Sequence, residues 1–138
     1  MVTFDDVEVG DEAPVKQVTL SRTDFVEYAG ASGDFNPMHH DEIIATAAGM
    51  PSVFGHGMLS MGILATAVTD WLGAGRVRRI RVRFSRQTWP GETVATRVVA
   101  VAKREEDGRR LVDLECVIAN AEGENKVIGE ATVDMGDG

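Results

Sequence analysis

The chain has a single cysteine, Cys116, among 138 residues. That excludes an internal disulfide and suits a reducing cytoplasm. Cations are also scarce: 14 Lys and Arg against 22 Asp and Glu give a formal net charge of -8. Wholesale nucleic-acid binding needs a cationic footprint and is not expected. A membrane-spanning run is missing too. The most apolar stretch, "GMLSMGILATAVTDWLGAG", is short and broken by Ser60, Thr66, Thr69 and Asp70, so no membrane span is expected. The N-terminal "MVTFDDVEVGDE" has neither a basic n-region nor an apolar h-region, so no signal peptide is visible. No repeat, low-complexity tract or linker divides the sequence, and residues 1–138 read as one domain.

What is present is a helix-rich first half and a strand-rich second half. "KQVTLS" alternates as a first strand. Ser21 or Thr23 then offers a cap for a helix through "DFVEYAG", with Gly30 and Gly33 as terminators. Asp41 is placed to cap a short helix, "EIIATAAG", closed by Gly49. "GMLSMGILATAVTDWL" is apolar around nearly its whole circumference at helical period and predicts a helix buried on most sides. Four β-rich runs follow. "RRIRVRFS" alternates strictly, placing Ile80, Val82 and Phe84 on one face. "ETVATRVVAVAKRE" and "RRLVDLECVIAN" flank an Asp107-Gly108 hairpin signal, and "NKVIGEATVDM" ends the series. Cys116 lies in phase with Val112, Leu114 and Ile118, as a small buried apolar side chain would. One long helix followed by antiparallel strands predicts an α+β architecture, the hot-dog fold, in which an antiparallel sheet wraps a long central helix. Its exposed edges predict a dimer.

The chemistry concentrates in "SGDFNPMHHDE", which carries two of the three histidines. On a helix, Asp34 and His39 would point about 140° apart at roughly 100° per residue. Pro37 forbids that helix, because the residue before proline avoids the αR region. The loop is therefore free to turn both side chains into one space. A carboxylate and an imidazole sharing a site suit the handling of a water molecule. Asn36 is a natural support for that turn. Downstream, "FGHGM" places Gly57 where the long helix begins, and a helix-terminal N–H suits negative charge developing on a carbonyl oxygen. Asp34, His39, His40 and His56 also make a candidate metal constellation. Adjacent histidines rarely share an ion, however, and no His-x-x-x-His or Cys pair supports it, so no metal site is assigned.

"YAGASGDFNPMHHD" followed by "VFGHGMLSMG" resembles the hydratase motif of the MaoC-like family, the (R)-specific enoyl-CoA hydratases and (3R)-hydroxyacyl-ACP dehydratases. The motif residues here are Gly33, Asp34, Asn36, Pro37 and His39, with His56-Gly57-Met58 downstream. "VRFSRQTWPGETV" is similar to the family's strand and turn after the helix. The resemblance runs from about Phe4 to the last strand. It is strongest to catalytic subunits of heterodimeric dehydratases in actinobacterial type II fatty-acid synthesis. It implies that Asp34 and His39 form the catalytic pair, that the Gly57 N–H is the oxyanion donor, and that Asn36 and His56 support them. It implies reversible hydration of trans-2-enoyl thioesters to (R)-3-hydroxyacyl thioesters, with no metal or redox cofactor. Some members carry a serine eight residues after the motif glycine, where this chain has Ala65; alanine there leaves a wider acyl pocket.

Six arginines, Arg76, Arg78, Arg79, Arg81, Arg83 and Arg86, lie within eleven positions of this acidic chain. Arg79, Arg81 and Arg83 are either a solvated strand face or a site for the phosphates of coenzyme A or the acidic surface of an acyl carrier protein. The alternatives to a hydratase are a hot-dog thioesterase and a subunit of a heterodimer. Thioesterases of this fold commonly lack the Asp…Asn-Pro…His array. A non-catalytic subunit would lack the pair, so this chain reads as a homodimer or as the catalytic half of a heterodimer.

Overall fold

The computed structural model describes residues 2–137. Its order is β1 (Gln17–Thr19), α1 (Arg22–Ser32), α2 (Glu42–Ala47), α3 (Gly57–Leu72), β2 (Val77–Phe84), β3 (Thr93–Glu106), β4 (Arg109–Asn120) and β5 (Asn125–Asp137). Short 3-10 turns lie at Phe4–Asp6 and Pro37–His39. The strands form one antiparallel sheet in the order β1-β3-β4-β5-β2. This is the expected hot-dog arrangement, α3 lying against a curled sheet.

Local chemistry explains the element ends. Ser21, rather than Thr23, caps α1: the Asp24 N–H donates to Ser21 Oγ at 3.2 Å, and the Ser21 N–H donates to the Asp24 carboxylate at 2.7 Å. This reciprocal pairing satisfies two otherwise orphaned donors. The helix passes through Gly30 and stops at Gly33, whose φ of 79° is the left-handed conformation of a C-cap. Asp41 accepts from Ile43 and Ile44 N–H at the start of α2. Asp107 and Gly108, with φ of 51° and 77°, make the two-residue turn between β3 and β4 that needs both angles positive.

The core lies between α3 and the sheet. Leu64, Ala67, Val68 and Leu72 of α3 are buried with Val98, Leu114, Ile118 and Val133 of the strands. Cys116 is in this core, and burial, assisted by the neighbouring Glu115 charge, pushes its thiol up to about 12. The expectation that α3 is buried on most sides needs correction. Met58, Gly62, Thr66 and Asp70 are exposed and recur every fourth residue as one ridge. A single five-stranded sheet curls over one side of a helix only. Among the described residues, no helix is long and apolar enough to cross a membrane.

Side-chain alternation along β2 decides what faces the site. Ile80 and Val82 pack toward the core, and Phe84 continues that parity to the start of α3. Arg79, Arg81 and Arg83 are exposed on the opposite face. The β2–β5 pairing is tight at Gly129, which sits opposite Val82. A Cβ at Gly129 would lie 2.1 Å from the Arg81 carbonyl oxygen, so β2 approaches this closely only because no side chain intervenes. Gly129→Ala is expected to lower stability by about 1–3 kcal/mol, seen as a lower urea midpoint at unchanged slope. A wild-type midpoint would show that β2 yields freely at this register.

Candidate active site

The bend from Ser32 to His39 is built by successive side-chain-to-backbone hydrogen bonds. The Asp34 N–H donates to Ser32 Oγ at 3.1 Å, the Asn36 N–H to Asp34 Oδ1 at 3.2 Å, and the Met38 N–H to Asn36 Oδ1 at 3.0 Å. Such two-residue steps replace helical bonding where Pro37 breaks it. One oxygen of Asp34 is thereby occupied. The other, Oδ2, lies 3.9 Å from His39 Nε2. That separation is too long for a direct hydrogen bond and lets both atoms contact one water molecule.

His39 is 8% exposed, whereas the Asp34 side chain is 54% exposed. His39 Nδ1 lies 2.7 Å from the Phe54 carbonyl oxygen. A carbonyl only accepts, so Nδ1 carries the proton and the neutral ring presents a lone pair at Nε2 toward Asp34. Burial holds this imidazole below its ordinary value of 6.5. The Phe54 carbonyl opposes that shift, the adjacent His56 adds to it, Asp34 opposes it and His40 adds to it. His39 is thus a neutral base at neutral pH.

His56, the residue before α3, donates from Nε2 to the Asp34 main-chain carbonyl at 3.0 Å. Its ring stacks on His39, with centroids 3.8 Å apart and planes 27° from parallel, and Tyr28 meets it edge-on at 4.8 Å. His56 Nδ1 is buried without a partner. His40 turns outward, its Nε2 lying 3.2 Å from the Phe35 carbonyl. Of the four residues weighed as a metal set, Asp34, His39 and His56 bring potential ligand atoms within 4.8 Å of one another. The stacked rings hold their in-plane lone pairs in nearly parallel planes, and tetrahedral coordination needs lone pairs that converge. The donor set therefore does not fit a metal ion as arranged.

His39 and Gly57 line a shared cavity of about 270 Å³, together with Ser60, Phe84, Arg86 and Lys126. Gly57 begins α3, where the first amides have no partner within the helix. A Cβ at Gly57 would come within 3.1 Å of the Phe84 ring, so glycine keeps the ring and the amide close to the same space. Arg79, Arg81 and Arg83 do not line this cavity; Arg81 and Arg83 border a hollow on the outer sheet face with Glu115 and Glu130. Their parity with the outward positions of β2 is the reason. Arg86 lies in the bend beyond the end of β2 and does line the cavity; its guanidinium pairs with Glu124 at 3.2 Å. Ser60 and Lys126 are among the lining residues that were not anticipated. Ser60, 4% exposed, faces the cavity one turn into α3, whereas Ala65 does not line it. Lys126, 2% exposed, donates from Nζ to the Gln87 carbonyl and to Glu92, fastening the loop after β2. Pairing of Lys126 with Glu92 spans 34 positions and leaves no local pattern.

Residues 7–121 match the MaoC like domain family. The 3-hydroxyacyl-thioester dehydratase Y of Mycobacterium tuberculosis (strain ATCC 25618 / H37Rv) is 33% identical over 136 residues, covering 95% of this chain and 43% of that protein. The chain spans less than half the length of the curated relatives it matches. Among solved structures, the (R)-hydratase from A. caviae involved in PHA biosynthesis superposes with a TM-score of 0.84 at 26% identity, covering 94% of this chain and 98% of that one. The ChsH1-ChsH2 complex from Mycobacterium tuberculosis gives a TM-score of 0.81 at 27% identity, over 94% and 98% of the respective chains.

The geometry around His39 makes a spectroscopic prediction. Nitrogen-15 NMR of the ring is expected to show the Nδ1–H tautomer at pH 7 and a titration midpoint below 6.5. Because the folded pKa is depressed, the unfolded chain binds the extra proton first. The contribution of His39 to stability is complete above 6.5 and is lost as pH falls toward the folded pKa. A midpoint above 6.5, or an Nε2–H tautomer, would contradict the assigned base.

Proposed function

The chain belongs to the MaoC-like domain family, and on that premise we propose that it is a hydro-lyase interconverting trans-2-enoyl and (R)-3-hydroxyacyl thioesters in fatty-acid metabolism. One observation carries the reading: the free Nε2 of a neutral His39 lies 3.9 Å from Asp34 Oδ2, and His39 shares a cavity wall with the first residue of α3. A water held between the two groups gives a proton to the imidazole as its oxygen bonds to C3 of the enoyl chain. The C2–C3 π electrons move onto the thioester oxygen, which faces the Gly57 N–H. A proton then passes from the pair to C2, and the reverse sequence expels water. An amide donor placed for such an oxyanion typically contributes ~3–4 kcal/mol. Asn36 holds the turn that presents the carboxylate. The steps use only proton transfer and charge stabilisation by these side chains and this amide, so the reading assigns no resident cofactor.

The thioester carrier, coenzyme A or an acyl carrier protein, is anionic. Arg86 at the cavity is the cation best placed to receive it, and Arg79, Arg81 and Arg83 meet it only where it leaves the cavity over the outer sheet face. A second hot-dog subunit, either another copy or a related chain, is the expected partner. The exposed ridge of α3, the free edge of β2 and the greater length of the curated relatives support that pairing. A single buried thiol accords with a cytoplasmic setting.

Loss of enoyl-thioester absorbance on crotonyl-CoA tests the reaction. Asp34→Asn and His39→Ala are each expected to lower the rate by about 10²–10⁴-fold with the circular dichroism spectrum unchanged. Full activity in either variant removes that residue from the pair, and release of free thiol in place of hydration assigns a thioesterase.

A further inference from the structure

The buried His56 does more than fill space beside the pair. It is 2% exposed, and one of its nitrogens, Nδ1, is buried with no partner. A phenyl or isobutyl group would occupy that volume without leaving an acceptor unsatisfied, so packing alone does not account for an imidazole here. The remaining contacts explain it. The Nε2–H donates to the main-chain carbonyl of Asp34, the ring face lies on the ring of His39, and the Tyr28 edge braces the other side. One side chain therefore touches α1, the Asp34 turn and the His39 turn at the point where α3 begins.

We propose that His56 is a positioning residue that fixes Asp34 by its main chain and His39 by its ring face, setting the gap in which the reacting water sits. This rests on the hydro-lyase reading above. The gap matters because the Asp34 side chain is half exposed and its Oδ2 makes no direct hydrogen bond to His39 Nε2. Local turns alone fix its other oxygen. The hydrogen bond from His56 crosses 22 positions and ties that turn to the helix start that carries Gly57. The stack acts on the second member of the pair. Besides His56, the charged or titratable groups acting on His39 are Asp34 and His40.

Two variants separate the contributions. Glutamine places an amide N–H near the position of a histidine Nε2, so His56→Gln keeps the tether and loses the stack. Phenylalanine keeps a ring on His39 and loses the tether. On crotonyl-CoA, His56→Phe is expected to lower kcat by about 10–100-fold with KM little changed, and His56→Gln to fall between it and the wild type. Ring NMR of His56→Gln should show the His39 titration midpoint moving up toward 6.5, since the second imidazole and its shielding are gone. Amide exchange at Asn36, whose N–H donates to Asp34, should quicken in His56→Phe. Wild-type kcat and Asn36 exchange in the Phe variant overturn the tether, and an unmoved His39 midpoint in the Gln variant overturns the stack. A loss of melting temperature with both kcat and KM preserved would reduce His56 to a packing residue. If the wild-type protein does not hydrate crotonyl-CoA, the functional reading fails separately, and the exchange and titration experiments still decide the positioning role.

Discussion

The hydrogen bond from His39 Nδ1 to the Phe54 carbonyl, 2.7 Å long, is the contact on which the rest of the site depends. It joins the turn at Pro37–His39 to the segment entering α3. It also fixes which nitrogen holds the proton, leaving Nε2 as a lone pair facing Asp34. Burial then keeps that lone pair free at neutral pH by disfavouring the cation. Without the carbonyl, the same buried ring could adopt the opposite tautomer and offer Asp34 a donor instead of a base. The proposed chemistry follows from one backbone oxygen and the low exposure of one ring.

The frame that supplies that oxygen is the packing of α3 on the sheet. Leu64, Ala67, Val68 and Leu72 anchor the helix in the core, so its first residue is held against the end of β2. Phe84 reaches across to that residue, and the absence of a side chain at Gly57 lets the ring lie close. The loop after β2 closes the cavity from the other side and is fastened by the buried Lys126–Glu92 pair and by Asn120, which also donates to Glu92. A buried ion pair of this kind is held only by satisfied geometry around both charges. Here Glu92 also accepts from the Trp89 N–H. The cavity walls are thus set by three unlike devices: a helix start, an aromatic lid and a paired lysine.

Much of this was legible from residue order. The proline-broken bend, the Asp41 cap, the Asp107-Gly108 turn and the period of α3 are local, and local sterics and hydrogen bonding dictate them over a few residues. For Arg79, Arg81 and Arg83 the alternation left a solvated face and a carrier site both open, and the structure turns them to the outer sheet face. The choice of Ser21 over Thr23 as the cap of α1 was open, because both hydroxyls precede acceptable helical positions. Asp24 settles it by completing the reciprocal bonds. The exposed ridge of α3 was not legible. Apolar periodicity shows which faces tolerate burial, whereas the number of strands and their curl decide which faces receive it.

The sequence by itself determined the α+β pattern, the bend that frees Asp34 and His39 from helical geometry, and the glycine at the start of the long helix. Each of these follows from torsional preference or periodicity within a short window. Only the tertiary structure decided the tautomer of His39, the stack of His56 upon it, the entry of Ser60 and Lys126 into the cavity wall, and the outward course of Arg79, Arg81 and Arg83 relative to that cavity. These depend on which distant backbone oxygen, ring or carboxylate arrives beside a side chain, and that is fixed when the sheet closes on α3.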